Sequence, residues 1–243
     1  MILFPAIDIK NGSCVRLVQG KMNDVTVFNE DPIDQAKTFE DKGCEWIHIV
    51  DLDGAIKGKP INQKIIKKII SSVNIKIQLG GGIRNMNTIN KWIEVGVERI
   101  VLSSLIVNNP DLVKKAINKY PGKIVLGIDL LEDKLAIEGW VKTTELKVRD
   151  VAKNFDNLDI ASVVCTNIKK DGAMEGIDID FILKNAGLFK KPIIVSGGVT
   201  TFKDMQVLKD NEDKGIEGVI CGRAIYEGKI NPVEVNKIFK IKC

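Results

Sequence analysis

The chain has 243 residues, of which 44% are hydrophobic, and no stretch approaches the ~20 consecutive apolar residues of a membrane span. Its 36 basic and 32 acidic residues give a formal net charge of +4, and the basic ones are scattered rather than gathered in a stripe, which argues against nucleic-acid binding. The first residues lack the charged start and long apolar run of a signal peptide, so we expect a monomeric cytoplasmic protein with neither membrane nor nucleic acid as a partner.

Eight short apolar runs alternate with amphipathic helical patterns along the chain. Most runs are continuous in Ile, Val and Leu, as in parallel strands that are buried on both faces. The predicted strands cover residues 3–9, 46–51, 75–79, 100–102, 124–129, 160–165, 193–196 and 219–221. Helices are predicted between them, for example over 62–71 and from Pro110 to about Tyr120.

Eight β–α units within this length predict an α/β fold, a (β/α)8 TIM barrel that forms one domain over residues 1–243. An open doubly wound sheet is the structural alternative. No G-x-G-x-x-G motif follows the first strand, which weakens that alternative.

The two halves of the chain repeat one another. Four features recur in the same order at offsets of 116 to 121 residues: a D-G-A-x-x-G motif (53 and 171), a glycine turn (81 and 197), the residue after a short strand (103 and 222) and a strand-ending aspartate (8 and 129). The repeat predicts half-barrels of approximately 1–120 and 121–243, related by a two-fold axis. Each site in one half then has a counterpart in the other.

Glycine turns follow the predicted third, seventh and eighth strands. Glycine lets backbone N–H groups approach a ligand, and barrels often bind phosphate with the loops after strands seven and eight. One predicted anion site comprises Gly197, Gly198, Gly222 and Arg223. Its symmetric counterpart comprises Gly81, Gly82, Ser103 and Ser104. Two such sites predict a small substrate with a phosphate at each end, whereas ordinary strand-to-helix turns are the alternative.

Asp8 and Asp129 end the predicted first and fifth strands, at the edge of a barrel where catalytic residues lie. Two carboxylates astride one substrate can act as acid and base if their surroundings separate their pKa values. A polar plug or a loop anchor is the alternative. The only histidine, His48, lies in an apolar strand and is interpreted as structural. No metal site is expected, because the five cysteines lack zinc spacing.

Five further residues are candidates for binding the substrate. Asp51 and Thr166 end the second and sixth strands and are interpreted as a symmetric pair that hydrogen-bonds a hydroxyl or orients an aspartate. Asp171 is a candidate for the same role, although Asp-Gly is also ordinary turn chemistry. Arg84 follows a glycine turn and could pair with a phosphate. Trp140 could stack on a flat ring or simply pack on the surface.

The chain also resembles a known family. The stretches that carry the resemblance are residues 4–12, 15–20, 48–55, 78–84, 139–140, 170–172 and 222–228. They are similar to the phosphoribosylformimino-5-aminoimidazole carboxamide ribotide isomerase family of histidine biosynthesis. The resemblance covers essentially the whole chain.

The resemblance implies an Amadori rearrangement of an aminoaldose to an aminoketose, without a cofactor. It implies that Asp8 is the base, that Asp129 is the acid and that Thr166 assists the acid. It also implies that Gly20 belongs to the substrate site and that Trp140 stacks on the imidazole carboxamide of the substrate.

The chain departs from the family pattern in three places. Ser103 stands where the family usually has glycine, and Asn167 stands where an acidic residue is usual. Relatives that also isomerise phosphoribosylanthranilate tend to carry a basic residue where this chain has Glu138, which predicts a single-substrate enzyme.

Two other functions remain as alternatives. The cyclase subunit of imidazole glycerol phosphate synthase shares the repeat and both aspartates, but it would open with a Cys-Leu-Asp-Val type of strand and need a glutaminase partner. A non-catalytic barrel that binds phosphate ligands is the other alternative. The loops over 19–29 and 131–146 are predicted to close over the substrate and exclude water.

Overall fold

The computed structural model describes residues 1–17, 19–20, 24–132 and 134–240. Its strands are β1 (Ile2–Lys10), β2 (Ser13–Leu17), β3 (Val25–Asn29), β4 (Trp46–Asp51), β5 (Lys76–Gly80), β6 (Arg99–Leu102), β7 (Ile124–Leu131), β8 (Lys134–Ile137), β9 (Lys142–Thr143), β10 (Ser162–Asn167), β11 (Ile193–Ser196) and β12 (Ile216–Cys221).

Helices follow the barrel strands. They are α1 (Pro32–Asp41), α2 (Leu52–Lys57), α3 (Gln63–Ser72), α4 (Met86–Glu94), α5 (Ser104–Asn108), α6 (Pro110–Lys119), α7 (Val148–Phe155), α8 (Ile179–Ala186), α9 (Phe202–Lys209), α10 (Arg223–Tyr226) and α11 (Pro232–Lys240), with a 3-10 turn at Glu212–Lys214. Within the described residues, no helix is long and apolar enough to cross a membrane.

Eight parallel strands close into a barrel, in the order β1, β4, β5, β6, β7, β10, β11, β12 and back to β1. This confirms the predicted (β/α)8 fold. The predicted sixth strand, 160–165, begins and ends two residues later in the structure. The apolar pattern misled here because Ile160 is buried but lies before the strand.

Two antiparallel hairpins extend from the barrel at symmetric positions. β2 and β3 follow β1, and β8 and β9 follow β7. Asp8 pairs with Val15 and Asp129 pairs with Ala136, so the paired residues are seven positions apart in both halves (15 − 8 and 136 − 129). The internal repeat therefore extends to these hairpins, which the sequence analysis did not predict.

Apolar side chains fill both faces of the barrel strands. On the outer face, residues such as Ile7, Ile47 and Ile49 are fully buried against the helices. A second cluster fills the inside of the barrel and comprises Phe4, Ala6, Trp46, Val125, Val164, Ile194 and Ile220. This two-sided burial explains why the strands lack polar alternation.

Charged groups close the amino-terminal end of the barrel. Arg99 begins β6 and forms an ion pair of 2.8 Å with Glu217 near the start of β12. The Arg99 guanidinium also lies 4.7 Å from the centre of the Trp46 ring, which packs against Phe4. These contacts form a floor beneath the inner cluster.

Candidate active site

A cavity of about 230 Å³ opens at the carboxyl ends of the barrel strands. Alternate strand residues point into it, as the two-residue period of a strand requires. Fifteen of the predicted site residues line it: Asp8, Gly20, Gly81, Gly82, Arg84, Ser103, Ser104, Asp129, Trp140, Thr166, Asp171, Gly197, Gly198, Gly222 and Arg223. The structure thus brings together nearly the whole predicted set.

Asp8 faces a cation that the sequence analysis did not include in the site. Arg16, on β2, donates from Nη1 to Oδ2 of Asp8 at 2.6 Å, and both side chains are mostly buried. Burial raises the pKa of Asp8, and the positive charge of Arg16 opposes that rise. A Cβ atom at Gly222 would lie 2.3 Å from Cζ of Arg16, so only glycine there leaves room for the guanidinium.

Asp129 has neutral partners instead. Burial raises its pKa, and side-chain hydrogen bonds from Thr166, Trp140 and Ser103 oppose the rise. A Cβ atom at Gly127 would lie 2.1 Å from Oγ of Ser103, so this glycine lets the serine reach inward. The symmetric scaffold therefore gives its two catalytic candidates different electrostatic surroundings.

Asp171 is a third carboxylic acid in the same cavity. Its pKa is raised to about 7, first by burial and then by the negative charges of Asp8 and Asp129, while Arg16 opposes the rise. Its backbone carbonyl accepts a hydrogen bond of 3.0 Å from the N–H of Gln19. Asp171 is therefore coupled to both candidates and tied to the loop that follows β2.

Glycine turns and arginines lie on two sides of the mouth. Gly81 and Gly197 have φ angles of +96° and +84°, which favour glycine. A Cβ atom at Gly81 would lie 2.3 Å from the carbonyl oxygen of Asp51, and one at Gly197 would lie 2.5 Å from that of Asn167. Close packing against the neighbouring backbone therefore explains why these two positions require glycine. Both glycines also line the cavity.

One arginine accompanies each group of glycines. Arg84 donates to the carbonyl of Ala55 at 3.3 Å. Arg223 donates to the carbonyl of Gly172 at 2.9 Å, and its Nε also donates to the Glu227 carboxylate at 2.5 Å. These contacts leave further guanidinium N–H groups for an anion, because arginine has five donors. The two sides of the mouth are called the Arg84 rim (Gly81, Gly82, Arg84, Ser103 and Ser104) and the Arg223 rim (Gly197, Gly198, Gly222 and Arg223).

Asp51 does not line the cavity, and its predicted role as a substrate ligand is corrected. It pairs with Ile9 on the outer face of the barrel, whereas Val50 pairs with Asp8 on the inner face. Its carboxylate accepts four hydrogen bonds of 2.7–3.0 Å from its own loop, donated by the backbone of Gly54, Ile61 and Asn62 and by the Asn62 amide. Asp51 is a loop anchor.

The predicted symmetry between Asp51 and Thr166 is also wrong by one residue. Thr166 pairs with Asp129 as Val50 pairs with Asp8, so Thr166 corresponds to Val50. Asn167 is the counterpart of Asp51. The backbone of Asp51 lies against Gly81, and the backbone of Asn167 lies against Gly197 in the same way. Thr166 lies on the inner face, where its side chain hydrogen-bonds Asp129.

His48, interpreted from the sequence as structural, lines the cavity. Its Nδ1 lies 2.9 Å from Nε2 of Gln78, which fixes the ring. Burial, together with the charge of Arg16, lowers its pKa to about 3, so the imidazole is neutral at pH 7. From the sequence, only the two-residue period of the strand could have predicted that His48 faces the cavity.

Trp140 meets Gly20 across the mouth. A Cβ atom at Gly20 would lie 2.3 Å from Cε3 of Trp140, so the backbone of Gly20 lies against the indole. Both residues lie in the loops that we predicted to close, although 21–23 and 133 lie outside the described residues. Among those described, no group of His, Cys, Asp and Glu side chains could hold a metal ion.

Comparison with known proteins identifies the family of the chain. Residues 2–231 match the family described as histidine biosynthesis protein. The 1-(5-phosphoribosyl)-5-((5-phosphoribosylamino)methylideneamino) imidazole-4-carboxamide isomerase of Azospirillum brasilense is 46% identical over 232 residues, which cover 96% of this chain and 91% of that protein. The isomerase of the same name from Parvibaculum lavamentivorans is 44% identical over 240 residues, 99% of both chains.

Proposed function

Because the chain belongs to the histidine biosynthesis protein family, we propose that it catalyses the isomerisation for which its relatives are named. The substrate is an aminoaldose that carries two phosphoribosyl groups, and the product is the corresponding aminoketose. The reaction is an Amadori rearrangement within one molecule, so it consumes no oxidant, reductant or second substrate.

The observation that supports this function best is the pair of partly buried carboxylic acids, Asp8 and Asp129, which face one cavity from opposite strands. A neighbouring cation stabilises a carboxylate more than neutral donors do. Asp8, beside Arg16, is therefore the group that stays ionised and accepts a proton. Asp129, surrounded by neutral donors, is the group that keeps its proton and donates it.

The reaction then begins with two proton transfers. Asp129 donates a proton to the ring oxygen of the aminosugar, and the C1′–O bond breaks to give an open-chain protonated Schiff base. Asp8 removes the proton from C2′, and the C–H electrons form the C1′–C2′ double bond of an enolamine. Tautomerisation of the enolamine adds a proton at C1′ and removes the proton of the C2′ hydroxyl, which gives the ketone at C2′ and the amine at C1′ and returns Asp8 and Asp129 to their starting protonation states. Thr166 orients Asp129 through its hydrogen bond.

Two anion-binding rims would hold the two phosphates of the substrate. The Arg84 rim and the Arg223 rim each combine glycine backbone with one guanidinium. Guanidinium groups bind phosphate with paired, charge-assisted hydrogen bonds. A phosphate at each rim would place the ribose between Asp8 and Asp129, and Trp140 would cover the imidazole.

We further propose that the protein is one domain, monomeric and cytoplasmic. Pairing of β12 with β1 and of β6 with β7 joins the two half-barrels. Every group in the proposed mechanism comes from a single chain. Glu138 also lines the cavity, and its negative charge would disfavour the carboxylate of phosphoribosylanthranilate.

The direct test is to mix the purified protein with the aminoaldose bisphosphate and follow absorbance as the ketose forms. We expect Asp8→Asn and Asp129→Asn each to lower kcat by about 10²–10⁴-fold, because each removes one general acid–base group. Asp111→Asn, at an exposed carboxylate on α6, is the control and should retain full activity.

The alternatives predict different results. A binding protein would show no turnover in any variant, and both asparagine variants would leave its physiological activity untouched. A cyclase would consume the aminoketose with ammonia rather than the aminoaldose. Folded protein that gives a flat trace with the aminoaldose would refute the assignment.

A further inference from the structure

The guanidinium of Arg16 is fixed by few polar contacts. It forms the ion pair with Asp8, and its Nη2 donates to the carbonyl oxygen of Ala6. Its Nε is buried and has no hydrogen-bond partner within the described part of the chain. A long, rotamer-rich side chain held in this way needs another support to keep one orientation.

Tyr226, at the end of α10, supplies that support. Its ring centre lies 5.4 Å from Cζ of Arg16, which is within the range of a cation–π contact. Its hydroxyl donates to the carbonyl oxygen of Ala6 at 2.9 Å, so the tyrosine and the arginine share one acceptor. Tyr226 does not itself line the cavity.

The tyrosine ring is in turn held by its neighbours. Phe28 of β3 lies 5.0 Å away and Phe39 of α1 lies 6.0 Å away, measured between ring centres. Sγ of Cys14 lies 2.9 Å from the hydroxyl oxygen. Because three elements pack on it, the ring presents a fixed face to Arg16.

We propose that Tyr226 is a positioning residue whose ring and hydroxyl hold the Arg16 guanidinium against Asp8. The proposal rests on the proposed function, in which Asp8 is the base. Tyr226 would act without touching the substrate, and it would link α10, which begins with Arg223 of the Arg223 rim, to the base on the opposite side of Arg16.

The charges around the pair decide the direction of the effect. The titratable groups that face Arg16 and Asp8 from the surrounding elements are Cys14 of β2, His48 of β4, Asp171 of the loop after β10, Cys221 of β12 and Tyr226 itself. If Arg16 moves away, Asp8 keeps its burial but loses its counter-charge. The pKa of Asp8 then rises, and the base becomes protonated at higher pH.

The test is Tyr226→Leu, which removes both the ring and the hydroxyl. We expect the acid limb of the kcat/KM profile to move up by about one unit, so that kcat/KM falls by up to about tenfold at pH values below the limb and is nearly unchanged on the plateau above it. Tyr226→Phe keeps the ring, so its limb should move by about half as much, and this variant decides the question if the leucine variant does not fold.

Tyr120 provides a matched control. Lys119 lies 5.2 Å from its ring centre and its hydroxyl donates to Asn90 at 2.8 Å, but it lies at the end of α6, away from the cavity. Tyr120→Leu should leave the pH profile unchanged. A loss in Tyr226→Leu that is equal at every pH would overturn the proposal.

A second measurement separates this proposal from the proposed function. Carbon-13 NMR of labelled aspartate carboxyl groups follows the titration of Asp8 in the protein without substrate, with Asp8→Asn used to assign the signal. The same upward movement of about one unit is expected in Tyr226→Leu. An unchanged Asp8 titration overturns the role of Tyr226 even if the protein proves not to be an isomerase.

Discussion

Replacing Asp51 by alanine tests whether this residue anchors its loop or binds the substrate. The substitution removes the acceptor of four hydrogen bonds, and the one from Gly54 is fully buried. A hydrogen bond to a charged group contributes about 1.5–3 kcal/mol, and water can replace part of the three less buried ones. We therefore expect a loss of about 3–5 kcal/mol in the free energy of unfolding, a large share of typical domain stability.

The measurement is equilibrium unfolding in urea, followed by tryptophan fluorescence. Asp53→Ala is the matched control: within the described part of the chain, Asp53 of α2 accepts two hydrogen bonds, from Asn11 and Asn62, at a more exposed place. It should cost about 1 kcal/mol. If Asp51→Ala unfolds like the wild-type protein and instead raises KM strongly, the anchor assignment is refuted and Asp51 contacts the substrate after all.

Two further predictions concern the cavity. Gly20→Ala should raise KM about tenfold, since the new Cβ clashes with Trp140. Gly43→Ala is the control, because Gly43 has a similar φ of +73° and open space around it, and it should leave steady-state kinetics unchanged. Equal kinetics in both variants would contradict the contact. The pKa of Asp171 is raised from 3.8 to about 7, so its contribution to stability is present below about pH 4 and is lost as the pH rises through 7. Asp171→Asn should therefore be about 1–2 kcal/mol more stable than the wild-type protein at pH 8 and equally stable at pH 4. A difference in urea unfolding midpoint between the two proteins that is the same at both pH values would contradict this.

The order of strands could be read from the sequence because burial on both faces leaves a continuous apolar signal. The hairpins could not, since β8 and β9 are short, lie outside the barrel and mix polar with apolar residues. Their absence from the prediction explains why Arg16 was missed. Its position beside Asp8 depends on the turn between β1 and β2, which places two residues eight positions apart in contact.

The error at Asp51 has a simpler cause. Its position at a strand end was read correctly, but the face was not. His48 and Val50 point inward, so the two-residue period places Asp51 outward, with Ile9. Strand alternation alone could have corrected this prediction and also indicated that His48 faces the cavity.

The floor formed by Arg99, Glu217 and Trp46 has a consequence for turnover. Within the described residues it leaves the upper mouth as the way in and out. The ketose has the same atoms and the same two phosphates as the aldose. Both molecules therefore use the same cavity entrance and the same binding site. A bound product therefore excludes the next substrate molecule until it has left through the same mouth, past Gly20 and Trp140.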